Sequence, residues 1–142
     1  MTIQEIEKEI IQEFSMFDNW MDKYNYLIEL GEGCPMIDEK EKNENNLIKG
    51  CQSKVWVSAK MNGDVMEITA DSDAVITKGI ITLLLRVFNN QRPEDVQDTD
   101  LSFIDKIGLT QHLSPTRSNG LWSMVKQIKL YAMAFVAQKQ TK

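Results

Sequence analysis

The sequence predicts one α+β domain spanning residues 1–142, with a small three-stranded antiparallel sheet packed against helices. Three observations carry this reading. The chain has 142 residues, 42% hydrophobic and 26% charged, which suits one folded domain with one core. Apolar residues recur at helical spacing toward both ends. Between them lies a short block dense in β-branched and aromatic residues, broken by Asn62-Gly63.

Thr2 and Glu5 have the spacing of a capping box ahead of Ile3, Ile6, Ile10 and Phe14, so residues 3–15 are predicted as an amphipathic helix. Asp18 is placed to cap a second helix with Trp20, Tyr24, Leu27 and Ile28 on one face, and Gly31 offers a left-handed stop. The polar run that follows has no hydrophobic period, and residues 31–46 read as a surface loop. Leu47-Ile48 is a short strand candidate. Val55–Met61 and Val65–Ala70 are two longer ones, joined by an Asn62-Gly63 hairpin turn. Beyond Asp71-Ser72-Asp73, expected as helix caps, the residues Ala74, Val75, Ile76, Ile80, Ile81, Leu84 and Val87 form a mostly apolar helix that should cover the sheet. Arg92-Pro93-Glu94-Asp95 and Asp100-Leu101-Ser102-Phe103 each start a helical turn. Ser118 is placed to cap a last helix carrying Leu121, Val125, Ile128, Ala132, Phe135 and Val136.

The formal charge is −5 and the sequence pI about 4.9, which argues against nucleic acid as a partner, since its binders carry a basic field. Residues 1–50 hold 12 acids against 5 bases, whereas residues 51–142 hold 9 against 11. The longest apolar stretch, Ile80–Leu85, is closed by Lys78 and Arg86, far short of the ~20 residues of a membrane span. The acidic N-terminal segment lacks the basic start and apolar centre of a secretory signal, so a cytoplasmic protein is expected. Two cysteines, Cys34 and Cys51, and one histidine cannot supply the four ligands of a structural zinc site, and no metal is expected.

Cys51 is the leading chemical candidate. It lies in Gly50-Cys51-Gln52-Ser53 between two strand-like segments, where glycine lets the chain turn sharply and project a thiol. The competing reading is a small buried residue, the usual place of a free cysteine. Cys34, before Pro35 in a loop, has the weaker case. His112 has the chemistry of a general base beside a thiol, against a hydrogen-bonded structural role. Arg117 stands at the entrance of the last helix, where a cation opposes the helix dipole, so it is expected to serve a partner or an internal carboxylate. Asp73 is either a cap or one of a carboxylate pair with Asp71.

At these positions the sequence resembles the SufE family of sulfur acceptors for cysteine desulfurases. The matching segments are Tyr26–Gly31, Ile48-Lys49-Gly50-Cys51-Gln52-Ser53-Lys54-Val55-Trp56, Asp71–Ile80, and Leu109-Thr110-Gln111-His112-Leu113-Ser114-Pro115-Thr116-Arg117-Ser118-Asn119-Gly120-Leu121. The resemblance implies a fold related to the Fe–S scaffold proteins of the IscU type. It implies that Cys51 takes a sulfane sulfur from the persulfide of a SufS-type cysteine desulfurase, stimulates that enzyme, and passes the sulfur to a SufBCD-type scaffold complex. On this reading the chain is an accessory protein and not itself an enzyme. The pyridoxal phosphate belongs to the desulfurase, so no cofactor is expected here. Gly50, Gln52 and Ser53 are implied as the active-site loop, and Asp73, His112 and Arg117 as residues supporting it or docking on the desulfurase. Cys34 departs from the family, which commonly has an apolar residue before this proline. A homodimer is among the states left open. Two other classes compete: a stand-alone thiol enzyme using Cys51 and His112, and a scaffold that assembles Fe–S itself, for which two cysteines are few.

Overall fold

The computed structural model describes residues 1–51 and 53–140. The first helix, α1 (Ile3–Ser15), starts as its sequence dictates: the Thr2 hydroxyl accepts the Glu5 N–H at 3.2 Å, and the Glu5 carboxylate accepts the Thr2 N–H in return. Its buried stripe is Ile3, Ile10 and Phe14. Helix α2 (Trp20–Gly31) is capped by Asn19, not Asp18. Asn19 has the extended backbone of a cap, and its Oδ1 accepts the Asp22 N–H at 2.9 Å.

Gly31 remains helical instead of providing a left-handed stop. Its use is close approach. A Cβ on Gly31 would lie 3.0 Å from the Gly79 nitrogen, and one on Gly79 only 2.1 Å from the Leu27 carbonyl oxygen. The two glycines let α2 cross directly against α3 (Val75–Phe88). Helix α3 is the centre of the molecule, buried on almost every side by α1, α2, the sheet and the last helix, residues 115–140.

The sheet has two strands, β1 (Val55–Asn62) and β2 (Val65–Ser72), paired antiparallel from Val55↔Ser72 to Asn62↔Val65. The turn is therefore Gly63-Asp64, one residue later than expected, with Gly63 at φ +64°. The expected third strand is reduced to one bridge, Leu47↔Trp56, flanked by hydrogen bonds from Ile48 N–H to Val55 O at 2.8 Å and from Val57 N–H to Asn46 O at 2.9 Å. It cannot lengthen. On one side Asn43 folds the chain by accepting the N–H groups of Asn45 and Asn46, and on the other Gly50 turns it away at φ +93°. The segment read as loop also holds a 3₁₀ turn at Glu39–Glu41 and a parallel bridge between Met36 and Ala70.

Asp71 and Asp73 do not cap α3, whose cap residue is Ala74. Asp71 instead binds Lys42 at 2.6 Å and Lys78 at 3.3 Å, tying the polar loop and α3 to β2. Three short helices follow, α4 (Pro93–Asp98), α5 (Phe103–Lys106) and α6 (Leu109–His112). The last helix, α7 (Pro115–Gln140), begins before Ser118. Proline suits its first position, and the Ser114 hydroxyl accepts the Arg117 N–H at 3.3 Å. Among the described residues no helix is long and apolar enough to cross a membrane.

Candidate functional site

The loop bearing Cys51 is tied at both ends. At its base the Ile48 N–H bonds the Val55 carbonyl. At its exit Lys54 and Asp73 exchange two hydrogen bonds, Lys54 N–H to Asp73 Oδ1 at 3.1 Å and Asp73 N–H to Lys54 O at 3.2 Å. Asp73 thus fastens the loop to the entrance of α3.

Within the loop the chain lies against the beginning of α7. Gly50 adopts φ +93°, a conformation that favours glycine, and a Cβ there would stand 2.7 Å from the Ser123 Oγ, which would have to turn aside. The Cys51 Sγ meets the Gly120 carbonyl oxygen at 3.6 Å. A Cβ on Gly120 would make ordinary contact with the sulfur, 3.4 Å from Sγ. The thiol faces a cavity of about 110 Å³ whose walls come from the loop (Ser53), α3 (Thr77, Ile80) and α7 (Thr116, Arg117, Gly120, Met124). Cys51 is half-buried, and burial pushes its thiol pKa up.

Arg117 lies on the cavity rim and is exposed. Of the two roles expected for it, serving a partner or an internal carboxylate, the second is not seen: no carboxylate bonds it among the described residues. Its Nη1 donates to the Tyr24 hydroxyl at 3.1 Å, with the guanidinium 6.0 Å from that ring's centre, so α2 also contributes to the rim. His112 is exposed and stacked on Trp20, ring centres 4.4 Å apart. It does not line the Cys51 cavity. Cys34 is in the core, its Sγ 3.6 Å from the Ala70 carbonyl oxygen, and burial raises its pKa too. Gln52, predicted in the site, lies outside the described residues.

Thr77, Ile80, Thr116, Gly120 and Met124 were not singled out from sequence. Gly120 did carry a signal, because glycine inside a helix is costly and asks for a reason. Starting the helix at Ser118 put Gly120 in its first turn and hid that signal. Among the described residues no group of three or more His, Cys, Asp and Glu side chains is arranged to hold a metal ion.

The architecture is shared with a solution structure of a hypothetical protein from Thermus thermophilus. The TM-score is 0.78 at 19% identity, over 93% of this chain and 96% of that one. The SufE family model, described as an Fe-S metabolism associated domain, matches residues 8–132, which include the Cys51 loop, both strands and most of α7. The chain therefore belongs to the SufE family, whose domain is associated with Fe–S metabolism.

Proposed function

We propose that this protein is a sulfur carrier that accepts persulfide sulfur on Cys51 from a SufS-type cysteine desulfurase and delivers it to a SufBCD-type Fe–S scaffold complex. The observation that carries the reading is the placement of Cys51: a free thiol on a tight glycine turn, facing a small cavity with Arg117 at its rim. Thiol–persulfide exchange needs one attacking thiolate and access to it. The Cys51 thiolate attacks the outer sulfur of the donor persulfide. One S–S bond forms at Cys51 as the donor's S–S bond breaks, and the donor leaves as a thiolate that takes up the proton Cys51 gave to solvent. No net oxidation occurs, so no further reactant is needed.

The resting site disfavours the thiolate, because burial raises the pKa of Cys51. Docking on the desulfurase would turn the loop outward and lower that barrier, and return to the cavity would shield the persulfide from reductants. A thiol carrier of this kind works in a reducing compartment such as the cytoplasm, where Cys34 and Cys51 stay unpaired. A stand-alone thiol enzyme with His112 as base has less support, since His112 is engaged with Trp20 and does not line the cavity.

The test is intact-mass spectrometry after incubation with a cysteine desulfurase and cysteine. Wild type should gain about one sulfur, ~32 Da, removable by reductant. Cys51→Ser, a nearly isosteric change, should remain folded and gain nothing. An unmodified wild type beside a demonstrably active desulfurase would overturn the assignment.

A further inference from the structure

Beside the apolar Ile80 and Met124, the Cys51 cavity is walled by hydrogen-bond donors. Ser53 from the loop, Thr77 from α3 and Thr116 from α7 each bring a hydroxyl, and Arg117 at the rim is the one charged group among the described lining residues. None of the three hydroxyls has a hydrogen-bond partner among the described residues. Thr77 is the telling case, because it is only 8% exposed and a buried hydroxyl left without a partner is costly. It also lies in the first turn of α3, which no side chain caps and where negative charge is favoured. Lys49, Lys54 and Asp73 flank the loop without lining the cavity, and Lys78 of α3 is paired with Asp71. The thiol itself draws on none of these donors. Its Sγ meets the Gly120 carbonyl, an acceptor, and burial alone displaces its acidity. One more sulfur would reach about 2 Å beyond Sγ, and the cavity of about 110 Å³ has room for it.

We infer that this donor set is an anion pocket for the terminal sulfur of a Cys51 persulfide, holding it as the perthiolate, with Thr77 as the buried positioning residue. The selection is chemical. Hydroxyl and guanidinium groups donate to an anion, and such bonds are stronger where water is excluded. No carboxylate lines the cavity among the described residues, so nothing there repels negative charge or attracts a cation. The persulfide gives its proton to solvent, no bond to sulfur changes, and no reactant is consumed. In this form the sulfur repels an incoming thiolate by like charge, which protects it from thiol reductants. The inference rests on Cys51 bearing the sulfur, as proposed above, but its test loads that sulfur without a desulfurase, so the two ideas fail separately.

The test is the acidity of the loaded sulfur. Sodium polysulfide can transfer one sulfur to Cys51: the thiolate attacks a sulfane sulfur, one S–S bond forms as another breaks, and the shortened polysulfide leaves. Peptide mass mapping places the sulfur. The near-ultraviolet absorbance of the perthiolate is then titrated against pH, with Cys51→Ser treated in parallel as the blank. Thr77→Val removes the hydroxyl at nearly constant shape, and the persulfide should become about three- to tenfold less acidic, its midpoint raised by about half to one pH unit. Thr77→Ser keeps the hydroxyl and should titrate as wild type. The unloaded Cys51 thiol, followed by its iodoacetamide rate against pH, should titrate alike in wild type and Thr77→Val, whereas a merely loosened cavity would shift thiol and persulfide together. Thr116→Val, at an exposed position, repeats the measurement if Thr77→Val folds poorly. A wild-type persulfide midpoint in both valine variants would overturn the inference. So would equal shifts of thiol and persulfide, or a Cys51 that alkylates normally yet takes no sulfur from polysulfide.

Discussion

Asp73 shows how a residue can shape a candidate site without touching the cysteine at its centre. Its Oδ1 accepts the Lys54 N–H while its own N–H bonds the Lys54 carbonyl, and both residues are exposed. The bond is therefore in competition with water, and Asp73→Ala should cost about 0.5–1 kcal/mol in urea unfolding. Asp73→Asn keeps an acceptor oxygen in the same place and should stay within about 0.5 kcal/mol of wild type. Equal losses in both would assign the effect to charge instead of the hydrogen bond. The chemistry at this scale was partly legible. A thiol beside glycine in a turn is a readable pattern, and it led to Cys51. The partners of Arg117 and His112 were not readable, because Tyr24 and Trp20 reach them from α2, some 90 residues earlier in the chain. Helical periodicity says which face a residue occupies and nothing about which distant face it meets.

Among elements, those whose limits are set by local chemistry emerged from sequence with little error. The Thr2–Glu5 box starts α1 at the expected residue, and the alternating strands pair as a hairpin with only a one-residue displacement of the turn. The failures occurred where tertiary contact decides. Leu47-Ile48 has strand-forming residues, yet the turns at Asn43 and Gly50 leave it room for one bridge. Gly31 looked like a helix stop and proved to be half of a helix crossing. That crossing is testable. In Gly79→Ala the methyl group would overlap the Leu27 carbonyl oxygen at 2.1 Å, and backbone on both helices must move apart. Overpacking of this kind costs about 1–3 kcal/mol or more, read as a lowered urea midpoint. Gly33→Ala is the matched control. Its methyl would make only ordinary contact, 3.6 Å from the Leu30 carbonyl oxygen, so its stability should hold or rise by up to about 1 kcal/mol. A Gly79→Ala variant as stable as that control would show that α2 and α3 tolerate separation.

At the scale of the whole molecule, the acidic first third is held to the rest by two charged clusters. Glu13 of α1 makes a two-pronged pair with Arg86 of α3, one N–H···O distance being 2.7 Å, and also accepts the Tyr26 hydroxyl of α2. Arg86 holds the Glu13 carboxyl below its ordinary range despite burial, with Tyr26 helping. For Asp71 burial acts upward, but Lys42, the Ser72 N–H and Lys78 together outweigh it and hold the carboxyl low. A carboxyl whose folded pKa is depressed adds stability above its unfolded pKa and loses it as pH falls through the folded value. Both clusters should therefore hold at neutral pH and fail together below about pH 4, the ordinary carboxylate range. Glu7 on α1 has the opposite sign. Burial raises its pKa first, Asp100 adds repulsion, and its Oε2 is buried with no hydrogen-bond partner among the described residues. Its charged form opposes folding, and protonation relieves that cost as pH falls through its raised folded pKa. Glu7→Gln removes the charge and should raise the stability at pH 7 by a few tenths of a kcal/mol, read from urea unfolding, about what solvent screening leaves of such an interaction. The advantage should shrink as acid protonates wild-type Glu7 and be gone below the ordinary glutamate range. An advantage that persists unchanged into acid would mean that the glutamine gains a new hydrogen bond, and that the Glu7 charge is not what strains this junction of α1 with the Asp100 segment.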